Sequence, residues 1–140
     1  MNLAQRIEKL HTSEHKLLVI VGGPGSGKSK LIREYSNETG IPMLDLDMIF
    51  QHTPSEKLIE EMQNFLKTYR HPVLLIDNKK ILYAKNSQID LLEFLESAST
   101  EKPVVATWNG KVEDGQLFHF RKDSDDLIYP VDDRVVVVEC

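Results

Sequence analysis

The chain has 140 residues, 41% of them hydrophobic and 28% charged, with a formal net charge of -5. That length predicts one domain with a single sizeable core, the acidic balance argues against autonomous nucleic-acid binding, and no apolar run approaches the roughly 18 residues a membrane span needs. Its one cysteine, Cys140, cannot form an internal disulfide and fits a reducing cytosol, and Met1–Arg6 lacks the apolar stretch of a secretory leader, so a cytoplasmic location is expected.

In chain order, Leu3, Ile7 and Leu10 recur at helical spacing and predict a short amphipathic helix over 2–11, which with its linker occupies 1–15. A buried strand over 16–21 follows, then a glycine-rich turn, then a helix over 28–39 that Gly40 stops. Ile41–Leu46 reads as a second strand. Thr53-Pro54-Ser55-Glu56 opens a helix carrying Leu58, Ile59, Met62, Phe65, Leu66 and Tyr69, which ends near His71-Pro72. Val73-Leu74-Leu75-Ile76 is an uninterrupted apolar strand ending in Asp77, the pattern of a strand covered on both faces. A helix over 87–98 with Ile89, Leu92, Leu95 and Ala98 along one side precedes a fourth strand, Pro103–Trp108. Residues 109–133 suggest a hairpin insertion, from Gly110, Asp114-Gly115 and the stretch Leu117–Phe120, and Arg134–Glu139 is a last buried strand. Alternating strands and helices predict an α/β, three-layer fold with a central parallel sheet and right-handed crossovers. The expected site lies at the carboxyl ends of the strands.

The densest signal is Gly22-Gly23-Pro24-Gly25-Ser26-Gly27-Lys28-Ser29, which satisfies G-x-x-x-x-G-K-[ST] between a strand and a helix. Glycines there let the backbone turn its N–H groups inward around a phosphate, and the helix adds its positive dipole end. Gly23, Pro24, Gly25, Ser26, Gly27, Lys28, Ser29 and Lys30 form the predicted nucleotide-binding stretch. Within it Lys28 would reach the β- and γ-phosphates of ATP, and the Ser29 hydroxyl would ligate Mg²⁺. Asp77, after four apolar residues, places a carboxylate at a strand end beside that metal, in the manner of a Walker B acid.

Asn78 follows where many ATPases of this broad class have a glutamate that polarises the attacking water. An amide can orient water but accepts no proton as a general base. Two consequences stay open: slow hydrolysis or hydrolysis helped from another chain, and nucleotide binding with little turnover. Asn109 follows the strand ending Thr107-Trp108, which lies between the two nucleotide strands in the additional-strand branch of P-loop proteins. It resembles the sensor 1 residue of AAA+ ATPases. Asn109-Gly110 also fits a turn, and Thr107 is the fallback sensor.

Asp45 and Asp47 resemble the Asp-x-Asp of small-molecule kinases of the shikimate kinase type, but an arginine-bearing lid and an acceptor pocket are not apparent, and an exposed strand end is the preferred reading. Arg121 is the first choice among five arginines for a finger acting in trans, Arg70 the second. Lys79, Lys80 and Lys85 read as solvated surface beside Asp77, and Asp123, Asp125, Asp126, Asp132 and Asp133 as a solvated acidic loop. The histidines show no metal-site spacing, and Trp108, Phe118 and Phe120 read as packing residues.

Taken together, Gly22–Ser29, the segment Val73–Asn78 followed by Ile81-Leu82-Tyr83, and the segment Val104–Gly110 leading to Glu113-Asp114-Gly115 resemble the BrxF family, small P-loop proteins of type 3 BREX phage-defence systems. The resemblance spans nearly the whole chain. It implies an AAA+-like ATPase module without the helical lid domain, working among BREX components that include a methyltransferase, a phosphatase-like protein, a helicase and a large ATPase. It also implies that no sensor 2 arginine comes from a lid, a deficit that a site shared between copies would repair, so a homo-oligomer is expected. Contact with nucleic acid would then be indirect.

Overall fold

The computed structural model describes residues 2–84, 87 and 89–140. Its centre is a parallel sheet in the order β2-β3-β4-β1-β7, formed by β1 (Leu17–Gly22), β2 (Met43–Leu44), β3 (Leu74–Ile76), β4 (Val104–Glu113) and β7 (Val135–Glu139). β4 pairs with both β1 and β3, so the third nucleotide-proximal strand does lie between the other two.

Alternation within the strands explains the layers. Leu18 and Ile20 of β1, Leu75 of β3 and Val105 of β4 turn to one side. There they pack with Ile7 and Leu10 of α1 (Leu3–Leu10) and Ile32 of α2 (Lys28–Thr39). Leu17, Val19, Val21, Leu74, Ile76, Val104 and Ala106 turn to the other side. They meet Leu46 of α3 (Leu46–Ile49), Leu58 and Met62 of α4 (Leu58–Thr68), and Leu91, Leu92 and Leu95 of α5 (Leu91–Ala98). All six residues of β1 are buried. Burying each Leu, Ile or Val stabilises the fold by about 1.5–3 kcal/mol, so the strand that delivers the glycine-rich turn is among the most firmly held. Among the described residues no helix is long and apolar enough to cross a membrane.

Several elements differ from the sequence expectation for local reasons. The second strand shrinks from 41–46 to Met43–Leu44, because the Asp45 carboxylate accepts from the Met48 amide and caps α3. The helix expected over 87–98 starts at Leu91 behind the cap Asp90, and Gln88 is outside the described residues. The fourth strand does not stop at Trp108. It runs through Asn109-Gly110 to Glu113, so that dipeptide is no turn.

Gly110 is needed for another reason: a Cβ there would lie 1.7 Å from the Phe118 carbonyl oxygen. The reversal falls at Asp114-Gly115, both with positive φ (51° and 75°), as a two-residue hairpin of the type I′ class requires. β5 (Gln116–His119) returns along β4, and β6 (Leu127–Pro130) adds a third antiparallel strand to the stretch 109–133.

Candidate nucleotide site

The turn after β1 is built from backbone constraints. Gly25 (φ 77°) and Gly27 (φ 96°) occupy the left-handed region that side chains disfavour. A Cβ on Gly22 would sit 2.3 Å from the Ser26 hydroxyl. Gly27 caps the 12-residue α2 with no side-chain hydrogen bond to its first amides. A helix that starts uncapped presents free N–H groups and a partial positive charge, the elementary requirement of an anion site. The Lys28 ammonium bridges the turn, donating to the Gly23 carbonyl at 2.7 Å and approaching the Ser26 hydroxyl at 3.4 Å. Burial pulls its pKa below the ordinary lysine value, while Cys140 and Asp77 act in the opposite direction. Cys140 itself packs on the turn, its amide donating to Val21 and its thiol to the Ser26 carbonyl at 3.0 Å. Pro24 and Lys30 are exposed.

Across from the turn stands Asp77, just past β3. The Ser29 hydroxyl donates to Asp77 Oδ1 at 3.0 Å, a contact between residues 48 apart in sequence. The Thr107 hydroxyl donates to the same oxygen at 3.1 Å. Hydroxyl, carboxylate and uncapped helix end thus converge where a hard divalent cation would find oxygen ligands, and the donor set fits Mg²⁺. Asn109 sits beside the turn through register, paired across β1 and β4 with Gly22, and its buried Oδ1 has no hydrogen-bond partner among the described residues. These groups border a cleft of about 310 Å³, which Lys28, Ser29, Asp47, Asp77, Asn78, Lys79, Lys80, Tyr83, Thr107, Asn109 and His119 line.

Asn78 reaches this cleft with its amide already engaged. Its Nδ2 donates to Asp45 Oδ2 at 2.8 Å, and its carbonyl accepts from the Leu46 and Asp47 amides. The side-chain oxygen is left as the acceptor. Asp47 uses both oxygens on backbone, accepting from Lys80 at 3.0 Å and Ile81 at 2.9 Å. The two acids of the Asp-x-Asp are therefore structural caps. Arg121 is not part of this chain's cleft, and its guanidinium donates to the Asp125 carbonyl. Arg70 is exposed elsewhere.

Two residues of the cleft escaped the sequence reading. Lys79, expected on a solvated surface, is 4% exposed. Its ammonium donates to the Thr107 carbonyl and contacts the Thr107 hydroxyl at 3.3 Å and the Asp77 carbonyl at 3.4 Å. Burial lowers its pKa to about 8, against the raising influence of Asp77 and Asp47. Nothing in Asp77-Asn78-Lys79-Lys80 marks the third residue as inward, because the chain leaves β3 there and loses its period. Lys80 is exposed, and Lys85 lies outside the described residues.

His119 is completely buried. Its signal was present: period two along β5 puts it on the same side as the buried Leu117. Its Nδ1 is 2.9 Å from the Phe120 carbonyl, and the ring lies 4.2 Å from Tyr83 and 4.9 Å from Trp108, centroid to centroid. Burial, then the positive charge of Lys79, hold its pKa down at about 3. Trp108 is buried with its indole N–H donating to Phe118, as a packing residue should be. Among the described residues no cluster of His, Cys, Asp or Glu could hold a metal by itself, and the late aspartates are all exposed.

No curated protein and no solved structure matches the chain. Residues 18–112, from β1 into the extension of β4, match the family model of the ATPase family associated with various cellular activities (AAA), a family whose nucleotide binding typically involves Mg²⁺. The chain is a P-loop ATPase-family protein of α/β fold and belongs to the AAA family.

Proposed function

We propose that the chain is an ATP·Mg²⁺-binding, slowly hydrolysing ATPase that self-associates with nucleotide and serves a BREX phage-defence system in the cytoplasm. The observation that carries the nucleotide part is the 3.0 Å contact between Ser29 and Asp77, which joins the phosphate turn to the acid of a neighbouring strand. The BREX role rests on the resemblance of the sequence segments to the BrxF family.

In this reading Gly23–Ser29 and the first amides of α2 surround the triphosphate tail, with Lys30 in the same turn of helix. Lys28 leaves the Gly23 carbonyl for the β- and γ-phosphates, exchanging a neutral acceptor for a charged one. Ser29 and Asp77 hold Mg²⁺, which neutralises charge on the phosphate oxygens. Thr107 fixes the Asp77 carboxylate from behind. Asn78 and Asn109 offer side-chain oxygens to water near the γ-phosphate. With Asn78 in the glutamate position no strong base stands there, so turnover is slow. Arg121 is the leading candidate for a cation supplied to a neighbouring copy. Other BREX proteins are the expected partners, with nucleic acid reached through them.

A non-hydrolysing assembly subunit is the second reading, favoured by the Asn78 amide being tied to Asp45. The kinase reading loses its support, since Asp45 and Asp47 spend their oxygens on backbone caps and on the Asn78 amide. The deciding experiment combines calorimetric titration of ATP, phosphate release, and sedimentation with and without ATP, on the protein and its Lys28→Ala variant. Binding that Lys28→Ala abolishes, acceptor-independent phosphate release and ATP-dependent association are expected. Normal ATP binding by the variant would end the nucleotide assignment. Association without phosphate release would select the second reading.

A further inference from the structure

His119 lies outside the span that matches the AAA family, on the return strand of the hairpin that extends β4. It borders the cleft that Ser29, Asp77 and Asn109 also line. A buried imidazole normally satisfies both nitrogens. Here Nδ1 meets a carbonyl, which can only accept, so Nδ1 carries the proton and Nε2 exposes a lone pair. Nε2 has no hydrogen-bond partner among the described residues, although it is buried. Lys79, whose charge acts on the ring, directs its ammonium to three acceptors of its own on Thr107 and Asp77.

The chemistry of what can meet that lone pair is narrow. A phosphate oxygen is an acceptor and would repel it. The imidazole stays neutral, because burial and the Lys79 charge oppose protonation, so it does not act as a phosphate-binding cation. The missing partner must donate a hydrogen bond and be small enough for a buried position. Water meets both conditions. Tyr83, tilted against one side, and Trp108, edge-on at another, hold the ring in place, as positioning requires.

We propose that His119 Nε2 holds the attacking water by accepting one of its hydrogen bonds, in the role left open by Asn78. This deepens the ATPase reading and rests on it. With one O–H directed to His119, a lone pair of the water turns to the γ-phosphorus. The new O–P bond forms as the bond from phosphorus to the bridging oxygen breaks, and that electron pair stays on ADP. One water proton remains on the attacking oxygen and the other passes to a phosphoryl oxygen. ATP and water thus give ADP and dihydrogen phosphate with charge conserved, and His119 never keeps the proton.

The test uses the full chain and two variants. His119→Leu fills a similar volume without an acceptor, and His119→Gln returns an oxygen near the ε position. ATP affinity of His119→Leu should stay within about twofold while kcat falls by roughly tenfold to a hundredfold. His119→Gln should recover part of that loss, with thermal melting showing both variants folded. Unchanged kcat in His119→Leu overturns the proposal, as does a parallel loss of ATP affinity, which would place Nε2 against phosphate or in a merely structural role. Equal failure of a folded His119→Gln also overturns it. If the unmodified protein releases no phosphate, this proposal and the hydrolytic reading both fall, while the ATP titration still reports whether nucleotide binding stands.

Discussion

The two walls of the cleft are made in opposite ways. One wall comes from the turn Gly22–Ser29, which brings Lys28 and Ser29 to the cleft and whose geometry comes from left-handed glycines and a helix start without a side-chain cap. The other gathers Asp47, Asp77, Asn78, Lys79, Thr107, Asn109 and His119 from four separate segments. The first wall offers backbone donors and one ammonium. The second offers acceptors, and its buried cation is already committed to Thr107 and Asp77. Phosphate charge is therefore the business of the turn, and placement of metal and water the business of the opposite wall.

The largest effect that could break this division is on the turn. Lys28→Ala should weaken ATP binding by at least about 100-fold, near 2.7 kcal/mol, with little change in melting temperature. Among the described residues, the partners that Lys28 abandons are the Gly23 carbonyl and the Ser26 hydroxyl, both part-exposed. A variant that instead unfolded would show that the turn is part of the core rather than a binding surface.

Next comes the support of the opposite wall. Gly110→Ala places a Cβ 1.7 Å from the Phe118 carbonyl, and backbone cannot yield as a flexible side chain does. We expect a loss of about 3 kcal/mol in chemical denaturation, with β5 and His119 displaced. ATP affinity in the variant that remains folded should be nearly normal, because the turn is anchored on β1 and α2.

Lys79→Met separates the two cations. The methionine keeps the buried stem but leaves the Thr107 and Asp77 carbonyls without their donor. Unsatisfied acceptors of this kind cost about 1–3 kcal/mol each, and relief of a buried charge offsets part of that. A net loss of about 2 kcal/mol is expected in urea titration, with ATP affinity changed less than about threefold. A loss like that of Lys28→Ala would make Lys79 a second phosphate ligand and erase the contrast.

The same contrast governs what could be read in the sequence. The turn, α2 and its stop at Gly40 are local, and glycine chemistry and apolar runs announce them. The succession of strands and helices is legible in the same way, because they alternate with little interruption. The second wall depends on contacts across roughly 30 residues, such as Asn78 to Asp45 and Lys79 to Thr107, which no local pattern encodes. Asn109-Gly110 shows the limit well. Its dipeptide chemistry favours a turn, yet the strand continues, because pairing with β1 on one side and the close approach of β5 on the other outweigh local preference.

The smallest expected effect tests whether the second wall is closed to water. His119 has its folded pKa depressed from 6.5 to about 3, by burial first and then by Lys79, with Lys28 and Arg121 acting in the same direction and the Phe120 carbonyl against them. Between those values the unfolded chain binds a proton that the folded chain refuses. The contribution of a neutral buried imidazole is thus fully present above pH 6.5 and is lost progressively as pH falls towards 3. The slope from this one group reaches at most about 1.4 kcal/mol per pH unit.

The other four histidines are exposed. Denaturation midpoints between pH 7 and 5, above the range where carboxylates protonate, should therefore decline in the unmodified protein and flatten in His119→Leu. A flat profile in the unmodified protein would mean that the imidazole meets solvent when folded. Nε2 could then satisfy itself from bulk water at no cost, and its lack of a protein partner would no longer single out a bound one.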